Sequence, residues 1–182
     1  DSSFESVLRQ SQKNKATPKP SPVAPEKQKH SREEITESYL LALLVQAKNP
    51  TTHILKTQSI LTDIELSTPS LDRLWKEISE FTRSSSEFSK ELFAKQLPAE
   101  VLETFDRTCL VPLPEFTEES DYEKEVAKVA TDTATLAVRY KIKEITQKVE
   151  ELEKNPNDDT MASLQEKVSV YTQRLAAIKR AS

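Results

Sequence analysis

The side chains best suited to nucleophilic, metal-binding or proton-transfer chemistry are scarce in this chain. In 182 residues there is one cysteine, Cys109, and two histidines, His30 and His53. A lone cysteine cannot form an internal disulfide, and with two scattered histidines it does not supply the ligand set of a structural zinc. Cys109 opens the apolar run Cys109-Leu110-Val111, where a buried thiol behaves as a small hydrophobe rather than a reactive group. His53 is expected at the surface or half-buried on a helix. Glycine is absent altogether, although an ordinary protein carries about 7%. Gly-rich phosphate loops, dinucleotide-binding turns and nucleophile elbows all need glycine where backbone approaches a ligand or turns sharply. No paired carboxylates stand out from the surface acids. No catalytic, cofactor-binding or metal site is therefore expected, no small-molecule ligand, and no enzyme.

The balance of charge narrows the field further. The net charge is −4 and the pI about 5.4, which argues against a basic nucleic-acid footprint outside the locally basic stretch at residues 13–31. No apolar run reaches the roughly 20 residues of a membrane span, and the N-terminus lacks the order of a signal peptide. A cytoplasmic protein is expected, with no membrane partner. The chain opens on Asp1 rather than methionine, so a piece of a longer polypeptide is expected.

The elements follow from periodicity. Phe4, Val7 and Leu8 share one side of a short helix over residues 2–12. Residues 13–31 are expected to form a disordered Lys- and Pro-rich linker, in which Pro18, Pro20, Pro22 and Pro25 leave few backbone donors. Ser31 followed by Glu34 is a capping signal. It opens the most hydrophobic helix, with Ile35, Tyr39, Leu40, Leu43, Leu44 and Ala47 on nearly one face. Asn49-Pro50 ends it, and Pro50 starts a short helix carrying Ile54 and Leu55. Further short helices are expected over Ile60–Leu66, Ser70–Phe81, Ser86–Leu97 and Pro98–Cys109, with Trp75 and Phe81 in the core. Pro112 and Pro114 should end this bundle.

Beyond them, Val126, Val129, Thr133, Leu136, Tyr140, Ile145, Val149 and Leu152 mark a helix over Glu119–Lys154, about 54 Å long at 1.5 Å per residue. A turn at Asn155–Asp158 leads into a last helix with Met161, Leu164, Val168, Tyr171, Leu175 and Ile178. It can pack antiparallel on the C-terminal half of the long one, in a hairpin that projects from the bundle. The expected fold is all-α: a multi-helix bundle over 32–114, then a long helical hairpin over 115–182.

A short helix and Pro-rich linker, the run Ser-Arg-Glu-Glu-Ile-Thr-Glu-Ser-Tyr-Leu-Leu-Ala-Leu-Leu-Val-Gln at residues 31–46, and a terminal long-helix hairpin resemble, in this order, the C-terminal region of DnaG-type bacterial DNA primases. In that family a run of this type, here Tyr39–Leu44 and shortly followed by Asn49-Pro50, starts the helicase-binding domain; the order of the parts carries more weight than any one motif, and the resemblance covers nearly the whole chain. It implies that residues 1–12 end an RNA polymerase domain. It implies too that 32–114 stimulate a hexameric replicative helicase and that 115–182 attach primase to it (a DnaB-binding region). Primer synthesis, and any contact with single-stranded DNA, would belong to the parent protein.

If the hairpin binds such a partner, the candidates are Met161, Val170, Tyr171, Leu175, Ile178 and Lys179. A flexible thioether and an aromatic with a polar tip tolerate partial burial. Leu164, Val168 and Leu175 must also hold the hairpin together, while Lys167, Arg174, Lys179 and Arg180 line charged faces that tune orientation. A coiled-coil scaffold unrelated to replication remains an alternative, and it predicts self-association through the hairpin.

Overall fold

The computed structural model describes residues 30–85, 87–152 and 158–181. The expected helix at 2–12 and nearly all of the linker lie outside them. The described residues form seven helices and no strand: α1 Arg32–Gln46, α2 Pro50–Ile60, α3 Pro69–Ser84, α4 Lys90–Gln96, α5 Ala99–Cys109, α6 Glu119–Leu152 and α7 Asp158–Ala181. The fold is all-α.

Ser31 caps α1, its Oγ accepting the Glu34 N–H at 3.1 Å. The Glu34 carboxylate turns to His30 Nδ1 at 2.8 Å instead of closing a reciprocal box. Leu40, Leu41, Ala42, Leu43, Leu44 and Val45 have no exposed surface. A helix apolar on all sides belongs in the middle of a domain, and α1 is wrapped by α2, α3, α5 and α6. The single core face expected from periodicity is thus too narrow. Ile35, placed on that face, is instead exposed at the protruding first turn.

Proline sets several starts. Pro50 and Pro69 occupy the first positions of α2 and α3, and Pro98 immediately precedes α5, where a missing N–H costs nothing. α4 is shorter than expected. Ser89 caps it, accepting the Leu92 N–H, and the Phe88 N–H is drawn to Thr51 Oγ1 at 2.9 Å.

The expected helix at Ile60–Leu66 does not form beyond Ile60. Thr62 and Asp63 turn the chain, with Asp63 in the left-handed region at φ 57°. Aspartate tolerates that region better than most residues, and here it serves a turn that glycine commonly makes. The following backbone is held by side chains rather than by helical carbonyls. Leu66 N–H donates to Asp72 Oδ1 at 2.9 Å, and Ser67 and Thr68 N–H donate to the two oxygens of Glu37.

Trp75 and Phe81 are buried, as expected. Phe93 lies at ring distances of 5.1–5.2 Å from Phe81, Phe88 and Phe105 and ties α3, α4 and α5 together. The core does not stop at Pro114. Val126, Val129, Ala130, Ala134, Ala137 and Val138 of α6 belong to the same hydrophobic cluster as α1–α5. Gln46 Nε2 anchors the exit of α5 on Thr108 O and Val111 O at 3.3 and 3.0 Å.

α6 is 34 residues long, about 51 Å. Its first half is a wall of the bundle and its second half runs beyond it. α7, 24 residues or about 36 Å, packs back along α6. No helix among the described residues is long and apolar enough to cross a membrane.

Candidate functional site

The hairpin rests on a polar seat at the start of α6. His53 is 2% exposed rather than superficial. Its Nε2 lies 3.4 Å from Glu119 Oε1, and its ring meets Tyr122 edge-on at 5.4 Å. Lys56 pairs with Glu123 at 3.1 Å, Tyr39 OH donates to Glu125 Oε1 at 3.4 Å, and Tyr122 OH donates to the Leu43 carbonyl. Burial, then the charge of Glu119 and the neighbouring Tyr39, push the Tyr122 phenol up to about 12. Burial first, and Glu125 second, raise Tyr39 as well. Both phenols therefore stay protonated donors at neutral pH, and they fix α6 against α1 and α2.

Glu37 is the buried carboxylate of the bundle, 1% exposed. An isolated buried acid suggests catalysis, but both of its oxygens accept backbone N–H groups just ahead of α3, as an anion at a helix N-terminus does. Its role is to cap. Its position three residues before Leu40, on a helix that is otherwise apolar inside, is the signal that sequence reading passed over.

Cys109 is half-buried and packs against the core. Burial pushes its thiol up, with Lys90 opposing and Asp106 reinforcing the shift. The run it opens is not buried throughout, since Leu110 is 81% exposed at the end of α5. Among the described residues no group of three or more His, Cys, Asp or Glu side chains is placed to hold a metal ion. A hollow of about 980 Å³ between α3, the turn at Asp63 and Tyr171 is lined by Asp72, Glu80, Lys76 and Arg83. Lys76 there is paired with Asp72 at 2.7 Å.

The six partner candidates separate into three settings. Ile178 is 9% exposed and belongs to the bundle's core cluster, with Tyr171 and Leu175 half-buried against it. Met161 is half-buried near the tip. Val170, 58% exposed, and Lys179 face solvent. The returning end of the hairpin thus lies on the bundle, and only the distal part projects.

Arg174, placed from sequence on a charged face that tunes orientation, is half-buried and donates from Nη2 to Thr62 O at 2.7 Å. Lys141 reaches Glu65 of the same turn at 3.9 Å. Tyr140, assigned to the inner stripe of the long helix, is 47% exposed; Ile142 and Ile145 take the seam instead.

In the distal hairpin, Ile142, Val149, Leu152, Met161, Leu164 and Val168 are all half-buried, and Ile145 alone is buried. Two helices cannot enclose a seam as four enclose α1. A groove of about 490 Å³ opens between them, lined by Ile145, Leu164, Val170 and Tyr171 with Lys141, Lys148 and Lys167 among its charged residues. Glu144 on its wall accepts from Lys148 at 2.7 Å and pairs with Lys141 at 3.2 Å. These bonds hold its carboxyl below the ordinary carboxylate value. Chemically, this surface offers apolar contact and cations, the equipment of protein recognition.

No family model matches the chain, and no curated protein and no solved structure matches it.

Proposed function

We propose that this chain is the helicase-interaction module of a bacterial DNA primase, tethering a cytoplasmic primase to the hexameric replicative helicase so that primers are made at the fork. The observation that carries the reading is the half-covered seam of the distal hairpin, from Ile142 to Val168, on a lever rooted in a fully packed bundle. The run that resembles primases, residues 31–46, is the central helix α1, so the resemblance lies in the element around which the others pack. Binding acts by raising local concentration. A tethered polymerase samples the emerging single strand at an effective concentration set by the linker.

The test is size-exclusion chromatography with light scattering, with and without a purified hexameric bacterial replicative helicase. Co-elution is expected. It should be lost in a V149D/L164D double variant whose bundle still melts cooperatively. A wild-type chain that never co-elutes, and instead runs as a dimer through the hairpin, favours the scaffold reading.

A further inference from the structure

Along α3, Asp72, Lys76 and Glu80 form one row and Trp75, Ser79 and Arg83 the next, as residues four apart do on a helix. Both rows line the hollow of about 980 Å³ that also takes in the turn at Asp63 and Tyr171 of α7. From Asp72 to Ser84 this trough runs about 18 Å along the helix. Its floor is apolar, with Trp75 6% and Ile64 8% exposed. Tyr171 stands half-buried at its edge. Ser79 is buried in the same wall, and its Oγ has no hydrogen-bond partner among the described residues, which costs stability.

The rim is acidic, with Asp63, Glu65, Asp72 and Glu80 against Lys76 and Arg83. Lys76 is taken up by Asp72 and Glu65. Asp63 and Glu80 enter no ion pair among the described residues. The trough therefore suits an extended, basic chain with apolar edges.

Such a chain precedes α1. Residues 13–29 carry Lys13, Lys15, Lys19, Lys27 and Lys29 against Glu26, opposite in sign to the rim. Within them, Lys19-Pro20-Ser21-Pro22-Val23-Ala24-Pro25 sets Lys19, Pro22 and Pro25 three apart. A polyproline helix repeats every three residues, so these three lie along one edge. Segments of this kind dock on aromatic-lined grooves. From Lys19 to Pro25 a polyproline helix rises about 19 Å, close to the length of the trough. Its carbonyls have no internal partners, so one can accept from the Ser79 hydroxyl.

The reach also fits. His30, where the described chain starts, lines a second hollow with Ser70 and Leu71 at the start of α3. From Pro25 to His30 the chain extends to at most about 17 Å, enough to round a helix of about 10–12 Å diameter. That path lays Pro25 toward Asp72 and Lys19 toward Glu80. A segment tethered so closely needs little intrinsic affinity, since its effective concentration is in the millimolar range.

We propose that Lys19–Pro25 of this chain seats in the trough between α3, the turn at Asp63 and Tyr171. So seated, it bridges α3 and α7, braces the root of the hairpin and leaves only residues 13–18 as free spacer. The proposal concerns this chain alone and does not rest on the helicase reading.

The experiment is NMR on the full chain, reading backbone relaxation and the indole N–H of Trp75, the one tryptophan present. Ser21, Val23 and Ala24 should show order parameters of about 0.85, and Lys13 and Lys15 below about 0.6. P22S/P25S should bring the whole segment below about 0.6 and shift the indole signal. K19E and E80K should each lower the docking equilibrium about threefold, and the K19E/E80K swap should restore it. Circular dichroism melts check that each variant folds.

A wild-type segment as mobile as Lys13 and Lys15 overturns the proposal. So does an indole signal that P22S/P25S leaves unmoved, or a charge swap that leaves the segment free. Ordering that fades on tenfold dilution overturns it as well, because the occupant would then come from a second copy.

Discussion

From Leu40 to Val45 six consecutive side chains have no exposed surface, whereas among the described residues from Arg139 to Arg174 one side chain, Ile145, is buried. The bundle holds Trp75, Phe81, Phe88, Phe93 and Phe105, whereas the distal hairpin has neither Phe nor Trp. The number of neighbouring helices widens that difference. α1 sits among four others, and each apolar group buried there contributes both transfer free energy and close contacts. A two-helix seam leaves one flank open. The bundle is therefore stable through its own packing, while the hairpin retains apolar surface that another protein can cover.

The sharpest way to break this contrast is a matched pair of truncations. L44A should cost about 3–4 kcal/mol, because a fully enclosed leucine leaves a cavity that the surrounding helices cannot fill. L164A, at a half-buried position, should cost about 1 kcal/mol or less. Urea melts followed by circular dichroism measure both. Equal losses would mean that hairpin and bundle share one packing environment after all.

A second contrast is polar. Inside the bundle a carboxylate is indispensable, because Glu37 satisfies two backbone donors that water does not reach. E37A should cost about 2–3 kcal/mol and should show in hydrogen exchange first at the N-terminus of α3, where Ser67 and Thr68 lose their acceptor. A loss spread evenly over the chain would mean that the carboxylate supports the bundle generally and not that helix start.

These two residues also show what the sequence could convey. The leucines of α1 announce a buried helix, and Ser31, Pro50 and Pro69 place helix starts, because caps and proline act within a few residues. Glu37 gives no local sign of the backbone it serves, which lies about 30 residues further along the chain. The missing helix after Ile60 has a nearer cause. Ile60, Leu61, Ile64 and Leu66 fit a helical pattern, but Asp63 turns the chain through the left-handed region and the Leu66 N–H goes to the Asp72 carboxylate six residues ahead. His53 looked superficial because nothing near it in sequence foretells Tyr122 and Glu119 closing over it. On the hairpin, periodicity named the right helix and the right residue types. It could not divide Ile178 from Val170, because which side meets the bundle depends on where the Thr62–Glu65 turn offers Thr62 O to Arg174.

The smallest expected effect separates the two regions by their electrostatics. Glu144, on the exposed wall of the hairpin, is depressed chiefly by its hydrogen bond to Lys148 and next by that to Lys141. For a depressed carboxyl the stabilisation is present above the unfolded pKa and is lost as pH falls through the folded one. The relevant window therefore lies at and below the ordinary glutamate value, about 4.3. Because the pairs are solvent-exposed, the contribution at neutral pH is only about 0.3–0.5 kcal/mol per pair. Hydrogen exchange of the α6 amides beyond Arg139 should lose protection in that acid window in the wild-type chain. In E144Q it should start slightly lower and stay flat, while the α1 amides behave alike in both. If E144Q keeps the acid step, the titrating group lies elsewhere on the hairpin. If the step moves into α1 as well, bundle and hairpin open together, and the lever is not free to flex on its root.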